Sequence, residues 1–261
     1  MLNYKIYSTD GTISLEKPVL VFIHGLGGSS ATWIKQVRKL KEQYDLLLID
    51  LPSHGKNNIM LSSINATYQG IAEKIIEVLD YLHIKTATFI GCSVGTIFVK
   101  YLVLRYPEVV KKYILIGGVG DLQNWFKLGI NIAKMSLSLL PASFCYSAVG
   151  KIIIPKKEYE EGRELFIQCS KRIPPEEMKA WLSLLAQFPK LNREYKKKMK
   201  EFNNGLYVTG EDDKLFLPML ENEFKQTTHK AFLKNCGHLC NLDKPDEVNT
   251  IIDEFVRAES Y

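Results

Sequence analysis

Ser93 sits in Gly91-Cys92-Ser93-Val94-Gly95, between the apolar run Ala87–Ile90 and the apolar stretch Val94–Arg105. A hydroxyl that is to attack an electrophile must project from a tight strand-to-helix turn, and glycines two positions to either side leave room for that crowded backbone. The start of the following helix offers free N–H groups and a positive dipole end to a developing anion. A serine hydroxyl is nevertheless a poor nucleophile near neutral pH. It needs a base within hydrogen-bond reach and a third group to orient that base. The histidines are His24, His54, His83, His229 and His238. His83 closes an amphipathic stretch and His229 lies in a polar one, which places both at the surface. His238 lies in Asn235-Cys-Gly-His-Leu, a loop between the strand-like Lys230–Leu233 and the last helix. From there it can swing over the carboxyl edge of a sheet, where open α/β folds hold their sites. Three carboxylates, Glu211, Asp212 and Asp213, follow the strand-like run that ends at Gly210. One of them can accept the histidine Nδ1–H, which leaves Nε2 free to take the serine proton.

These residues are far apart in the chain, so a particular set of elements has to assemble them. Val19–Ile23, Leu46–Ile49, Ala87–Ile90, Tyr113–Ile116 and Leu206–Val208 are short runs, apolar on both faces, as buried parallel strands require. Between them, Tyr68–His83 places Ile71, Ile75, Val78, Leu79 and Leu82 at three- and four-residue steps, an amphipathic helix. Val94–Arg105 is apolar nearly all round, which predicts a helix packed centrally on the sheet and ended by Pro107. A last helix opens at Pro245 and carries Val248, Ile251, Ile252 and Phe255 on one face. The alternation predicts an α/β protein with a mostly parallel, doubly wound sheet. From 119 to 204 it gives way to consecutive helices punctuated by prolines, which reads as an inserted helical cap; 1–118 and 205–261 form the core. The cap carries Trp125, Phe126, Phe144, Phe166, Trp181 and Phe188, and Trp125, Phe126 and Trp181 are its candidate substrate contacts.

The 261 residues suit one large domain or a core with an insert, and 46% hydrophobic with 24% charged residues is an ordinary globular composition. The net charge of +5 comes from lysines spread along the chain, with one dense run at Lys196–Lys198. Glu194 and Glu201 flank that run and no aromatic ladder accompanies it, so it reads as a solvated helix face; nucleic acid is not an expected partner. The first residues lack the apolar run of a secretory signal. Leu128–Leu140, interrupted by Asn131 and Lys134, is too short to span a bilayer, so no membrane span is expected. Five cysteines, an odd number spread widely, fit reduced thiols and a cytoplasmic location better than a disulfide framework. Cys236-Gly-His238-Leu-Cys240 offers too few ligands for tetrahedral zinc, and no metal is assigned. Nothing in the sequence reports oligomeric state.

Along nearly its whole length the chain resembles the α/β-hydrolase superfamily. Val19-Leu-Val-Phe-Ile-His24-Gly25-Leu26-Gly-Gly resembles the family's His-Gly strand end with its oxyanion loop, followed by an aromatic, here Trp33. Asp50-Leu-Pro-Ser53-His54-Gly55 resembles its D-x-P-G-H-G turn, with Ser53 in place of glycine. The elbow at Ser93, the stretch Arg105-Tyr-Pro-Glu108, the acid turn Gly210-Glu-Asp-Asp213 and the pair Gly237-His238 complete six motifs in the family's order.

The resemblance implies Ser93 as nucleophile, His238 as base and Asp213, three positions after Gly210, as the orienting acid. It also implies an oxyanion hole made by the backbone N–H groups of Leu26 and Val94, and no cofactor. His24 and His54 are expected to brace the neighbouring loops, and Cys92 to be a packed side chain. The expected reaction is hydrolysis of a small, hydrophobic carboxylic ester through an acyl-enzyme. Lactones, thioesters, carbon–carbon bonds of diketo acids and perhydrolysis remain open to the same triad, as does a non-catalytic member that only binds a ligand.

Overall fold

Alternate residues of the buried strands feed two separate apolar layers, and this decides where everything else packs. Val19, Val21 and Ile23 enter one layer with Phe89 and Leu115, while Leu20 and Phe22 enter the other with Ile90 and Ile114. In chain order the elements are β1 (Tyr4–Tyr7), β2 (Val19–Ile23), α1 (Ile34–Leu40), β3 (Asp45–Ile49), α2 (Tyr68–Tyr81), β4 (Ala87–Cys92), α3 (Gly95–Arg105) and β5 (Val110–Ile116). Five helices follow: α4 (Asn124–Leu139), α5 (Ala142–Ile153), α6 (Glu160–Ser170), α7 (Pro175–Leu185) and α8 (Phe188–Lys198). The chain then returns to β6 (Gly205–Gly210), α9 (Glu221–Phe224), β7 (Lys230–Leu233), α10 (Cys240–Asp243) and α11 (Pro245–Arg257). This computed structural model describes every residue except 10, 15, 203, 228 and 259–261. Of these, 203 falls in the span expected as cap and the rest in the spans expected as core.

The seven strands form one sheet in the order β1-β3-β2-β4-β5-β6-β7. Only β1 is antiparallel, pairing Tyr4 with Ile49. All other neighbours are parallel, with Ile23 beside Gly91 and Ile116 beside Val208. From β2 the chain goes first to β3 on one side and then to β4 on the other. The loops leaving β2 and β4 therefore diverge at their carboxyl ends and open a crevice there.

The helices depart from expectation in three places, each with a local cause. α2 stops at Tyr81 because His83 adopts φ 57°, a left-handed turn that ends the helix with Leu82 as its cap, although Leu82 still packs against the same apolar layer. α3 is buried as expected, yet it carries a fully buried lysine. Lys100 Nζ lies 2.7 Å from Glu223 Oε2, and both side chains are 0% exposed. It also donates to the Val119 carbonyl and to Asn192 Oδ1, while the Tyr207 hydroxyl donates to the same glutamate oxygen. The third departure is Lys196, which turns inward to pair with Asp121 although Lys197 and Lys198 are solvated.

The inserted helices are not uniform. Phe188, Leu191 and Tyr195 of α8 enter the same apolar layer as Phe98 and Leu102 of α3, so α8 packs as part of the sheet-covering layer. Among the described residues no helix is long and apolar enough to cross a membrane.

Removing one partner of a buried ion pair leaves the other charge uncompensated, at a cost of about 3–5 kcal/mol. Lys100→Met and Glu223→Gln are therefore each expected to lower the melting temperature by about 10 °C in thermal unfolding. The double variant Lys100→Met/Glu223→Leu should recover more than half of that loss.

Candidate active site

Ser93 follows β4 directly and takes φ 51°, a left-handed conformation rare for a residue with a side chain. Its neighbours are tightly constrained. A Cβ at Gly91 would lie 2.7 Å from the Gly95 backbone, and one at Gly95 only 2.2 Å from the Ile23 carbonyl oxygen. Glycine is thus required at Gly91 by the turn's own close backbone and at Gly95 by the contact with strand β2. The strained turn projects the hydroxyl into the crevice, where Ser93 is partly exposed while every other residue from Ala87 to Leu104 except Tyr101 is buried.

His238 reaches the same point from the loop after β7. Its Nε2 is 2.8 Å from Ser93 Oγ and its Nδ1 is 2.7 Å from Asp213 Oδ2. A carboxylate can only accept, so Nδ1 carries the hydrogen and Nε2 is the acceptor for the serine O–H. Asp213 Oδ1 accepts the Phe216 N–H at 3.0 Å, which occupies both carboxylate oxygens and holds their plane. The other two carboxylates point elsewhere: Asp212 accepts from the Tyr159 hydroxyl and pairs with Lys156, and Glu211 is exposed. His238 and Asp213 are both 3% exposed. Such a line can take the serine proton as the oxygen attacks and return it to a leaving group. His238 spends both ring nitrogens on these partners and has none left for a metal.

The loop after β2 lies against the serine, since a Cβ at Gly25 would be 3.0 Å from Ser93 Cβ. Leu26 and Val94 both border the cavity above Ser93, and neither backbone N–H makes a hydrogen bond among the described residues. Two buried histidines brace this loop. His24 Nε2 accepts the Leu51 N–H and its Nδ1–H donates to the Gly25 carbonyl. His54 Nε2 accepts the Gly27 N–H and its Nδ1–H donates to the Pro52 carbonyl. Burial, and then the adjacent His24, pull the His54 pKa down to about 3, so its ring stays neutral and keeps its acceptor nitrogen at any physiological pH. Burial likewise pushes the Cys92 thiol up to about 12, so beside the serine it is a packed, unreactive side chain.

A cavity of about 490 Å³ opens above Ser93. Trp125 and Phe126 line it with Phe144 and Phe166. Trp181 does not, and this corrects its expected role. It is fully buried beneath the insert, its Nε1–H donates to the Pro52 carbonyl, and its ring meets His54 edge-on at 5.1 Å. Facing inward on α7, it braces the turn that holds His54. Phe188 is also buried in the core layer.

Three further residues at this site carry no signal in the order of the residues. Phe216 stacks on the His238 ring at 4.1 Å between centroids and limits its rotation. Glu177 of α7 bonds Ser53, Ser62 and the Leu61 N–H, so the serine that replaces the family's glycine ties the insert to the core. Asp243 accepts the Gly237 N–H at 3.0 Å and so holds the residue preceding His238. Each contact joins residues from different elements or loops, and no local motif marks it.

A family model described as alpha/beta hydrolase fold matches residues 18–144, which contain the His-Gly loop, the elbow and the start of the insert. The chain has the α/β-hydrolase fold that this model describes. Among relatives, a putative esterase/lipase of Haemophilus influenzae is 35% identical over 116 residues, 44% of this chain and 39% of that protein. Human protein ABHD8 is 28% identical over 249 residues, 92% of this chain and 55% of its own length. The chain thus spans about half or less of these relatives. A solved carboxylesterase structure from Nitrososphaera gargenis superposes with a TM-score of 0.82 at 17% identity, covering 97% of this chain and 93% of that one, a likeness of fold.

Burial lifts the Asp243 carboxyl from 3.8 to about 6, with the Gly237 N–H opposing the rise. The folded state therefore holds a proton that the unfolded chain has released between those values. Asp243's contribution to stability is full below pH 3.8 and is lost as pH rises through about 6. Thermal melts from pH 4 to pH 7 should show that component in the wild type, and Asp243→Asn should remove it.

Proposed function

We propose that this α/β-hydrolase cleaves a small, hydrophobic carboxylic ester through an acyl-enzyme formed on Ser93. The observation that carries the proposal is the unbroken line Ser93–His238–Asp213 at 2.8 and 2.7 Å, set at the floor of an apolar cavity. Ser93 Oγ attacks the ester carbonyl as its proton passes to His238 Nε2. The negative charge that develops on the carbonyl oxygen is taken by the N–H groups of Leu26 and Val94, which serve as the oxyanion hole. His238 then gives the proton to the departing alcohol, and a water molecule repeats the sequence to release the acid. Asp213 fixes the tautomer and stabilises the imidazolium between the two transfers. Residues 1–118 and 205–261 act as the hydrolase core, and the 119–204 insert as a cap over the cavity.

The lining of the cavity supports a neutral ester over the other acyl compounds open to this machinery. Among the described residues no lysine, arginine, aspartate or glutamate borders it. A diketo acid or a phosphate-bearing thioester would bury its negative charge there without a cation, at high cost. Trp125 and Phe126 contact the acyl or alcohol chain in this reading.

Fluorophosphonate should label the wild type and leave Ser93→Ala unlabelled; an unlabelled wild type would favour a ligand-binding protein. Against p-nitrophenyl esters, Ser93→Ala and His238→Ala should each lower kcat by about 10⁵–10⁶-fold, and Asp213→Asn by about 10⁴-fold. Longer acyl chains should raise kcat/KM. Turnover of a diketo acid with no ester cleaved would overturn the choice of substrate.

A further inference from the structure

Helix α4 has two apolar faces, and only one of them is used by the fold. Phe126, Ile130, Ala133 and Leu137 turn inward and line the cavity. Trp125, Leu128, Ile132, Met135 and Leu139 repeat at steps of three and four on the opposite side, each between 51% and 78% exposed. Phe144 and Ile152 of the adjoining α5 extend the patch at 61% and 66% exposed. A surface of this size and continuity is a binding surface or a liability, since isolated exposed residues are normal but stripes are not.

Charge says what covers it. Residues 122–157 hold five lysines, at 127, 134, 151, 156 and 157, and neither aspartate nor glutamate. The whole chain has 34 Lys and Arg against 29 Asp and Glu, so this stretch carries the entire net excess and the remainder is balanced. Lys156 pairs with Asp212; the other four lysines make no ion pair among the described residues. Apolar side chains including tryptophan, interleaved with unpaired lysines, are what an anionic bilayer surface binds: rings and aliphatic chains enter the acyl boundary while ammonium groups stay at the headgroups.

The patch is also continuous with the cavity. Trp125, Ile132, Phe144 and Ile152 belong both to the exposed surface and to the cavity lining, so the apolar path from outside to Ser93 is unbroken. We infer that the α4–α5 face docks on an anionic lipid surface, and that the cavity takes its acyl chain directly from that lipid phase. The docking stands on the surface alone, whereas the acyl chain rests on the ester-hydrolase reading above.

Vesicles of phosphatidylcholine alone and of equal parts phosphatidylcholine and phosphatidylglycerol provide the test, read by co-sedimentation and tryptophan emission. Trp33 and Trp181 are already fully buried, so a blue shift on adding vesicles reports Trp125. The wild type should bind the anionic vesicles with a blue shift and bind the neutral ones weakly. Lys127→Ala and Lys151→Ala should each weaken binding about five-fold. The triple variant Leu128→Ser/Met135→Ser/Leu139→Ser should weaken it at least about ten-fold. None of those three leucine and methionine positions lines the cavity, so hydrolysis of a soluble short ester should be unchanged. Failure to bind anionic vesicles, equal affinity for both vesicle types, or a wild-type dimer that the triple variant dissociates would each overturn the inference. Vesicle binding by a protein that cleaves no ester would leave the docking intact and remove only the acyl-ester reading.

Discussion

Everything at the site depends on one cramped backbone turn. Ser93 is held at φ 51° where β4 ends, with β2 on one side and the first turn of α3 on the other. A non-glycine residue in that region costs about 1–3 kcal/mol, and it persists only where surrounding structure leaves no alternative. Here the surroundings are backbone. Gly91 lies against Gly95, Gly95 against the carbonyl of Ile23, and the Ser93 N–H donates to the Ile116 carbonyl at 2.9 Å. The sheet therefore locks the turn from both sides, and the strain is returned as a hydroxyl fixed at the point where the loops from β2 and β7 converge.

The loops that meet this hydroxyl are held by buried polar groups whose charge state is as constrained as their geometry. His24 and His54 work as neutral rings, each giving one hydrogen bond and accepting another, and burial keeps their pKa values low. A protonated ring would lose the acceptor nitrogen that holds Leu51 or Gly27. Trp181 closes against His54 from the insert, and Glu177 of the same helix grips Ser53. Helix α7 thus couples the loop after β2 to the inserted helices. A second cluster around Lys100 and Glu223 ties α3, the helix that follows Ser93, to α8 and α9. The apolar cavity sits between these two polar anchors, so its walls are largely helices while its reactive floor belongs to the sheet.

Much of this was legible in the order of the residues because it follows from local rules. Apolar patterning marked β2 to the residue, since a buried parallel strand is apolar on both faces and its ends are set by polar or glycine neighbours. The elbow was legible because its glycines answer a steric demand that few other residues meet. The choice among Glu211, Asp212 and Asp213 was not available from their chemistry, as three adjacent carboxylates differ only in direction. Asp213 was singled out by resemblance, and the direction itself appears only when Tyr159 and Lys156 occupy Asp212.

What the sequence determined by itself is therefore the scaffold and the candidate groups at its site: hydrophobic period sets the layers, and glycine spacing sets the turn. What tertiary structure decided is direction and environment. An aromatic residue in the insert could face the cavity, the core or solvent, and Phe126, Trp181 and Trp125 take those three courses in turn, although Trp125 also touches the cavity rim. Lys100 reads as an interruption of an apolar helix until Glu223, more than a hundred residues later, is placed beside it. Composition states how much apolar surface and charge a chain possesses, but only packing decides which of it is left facing outward.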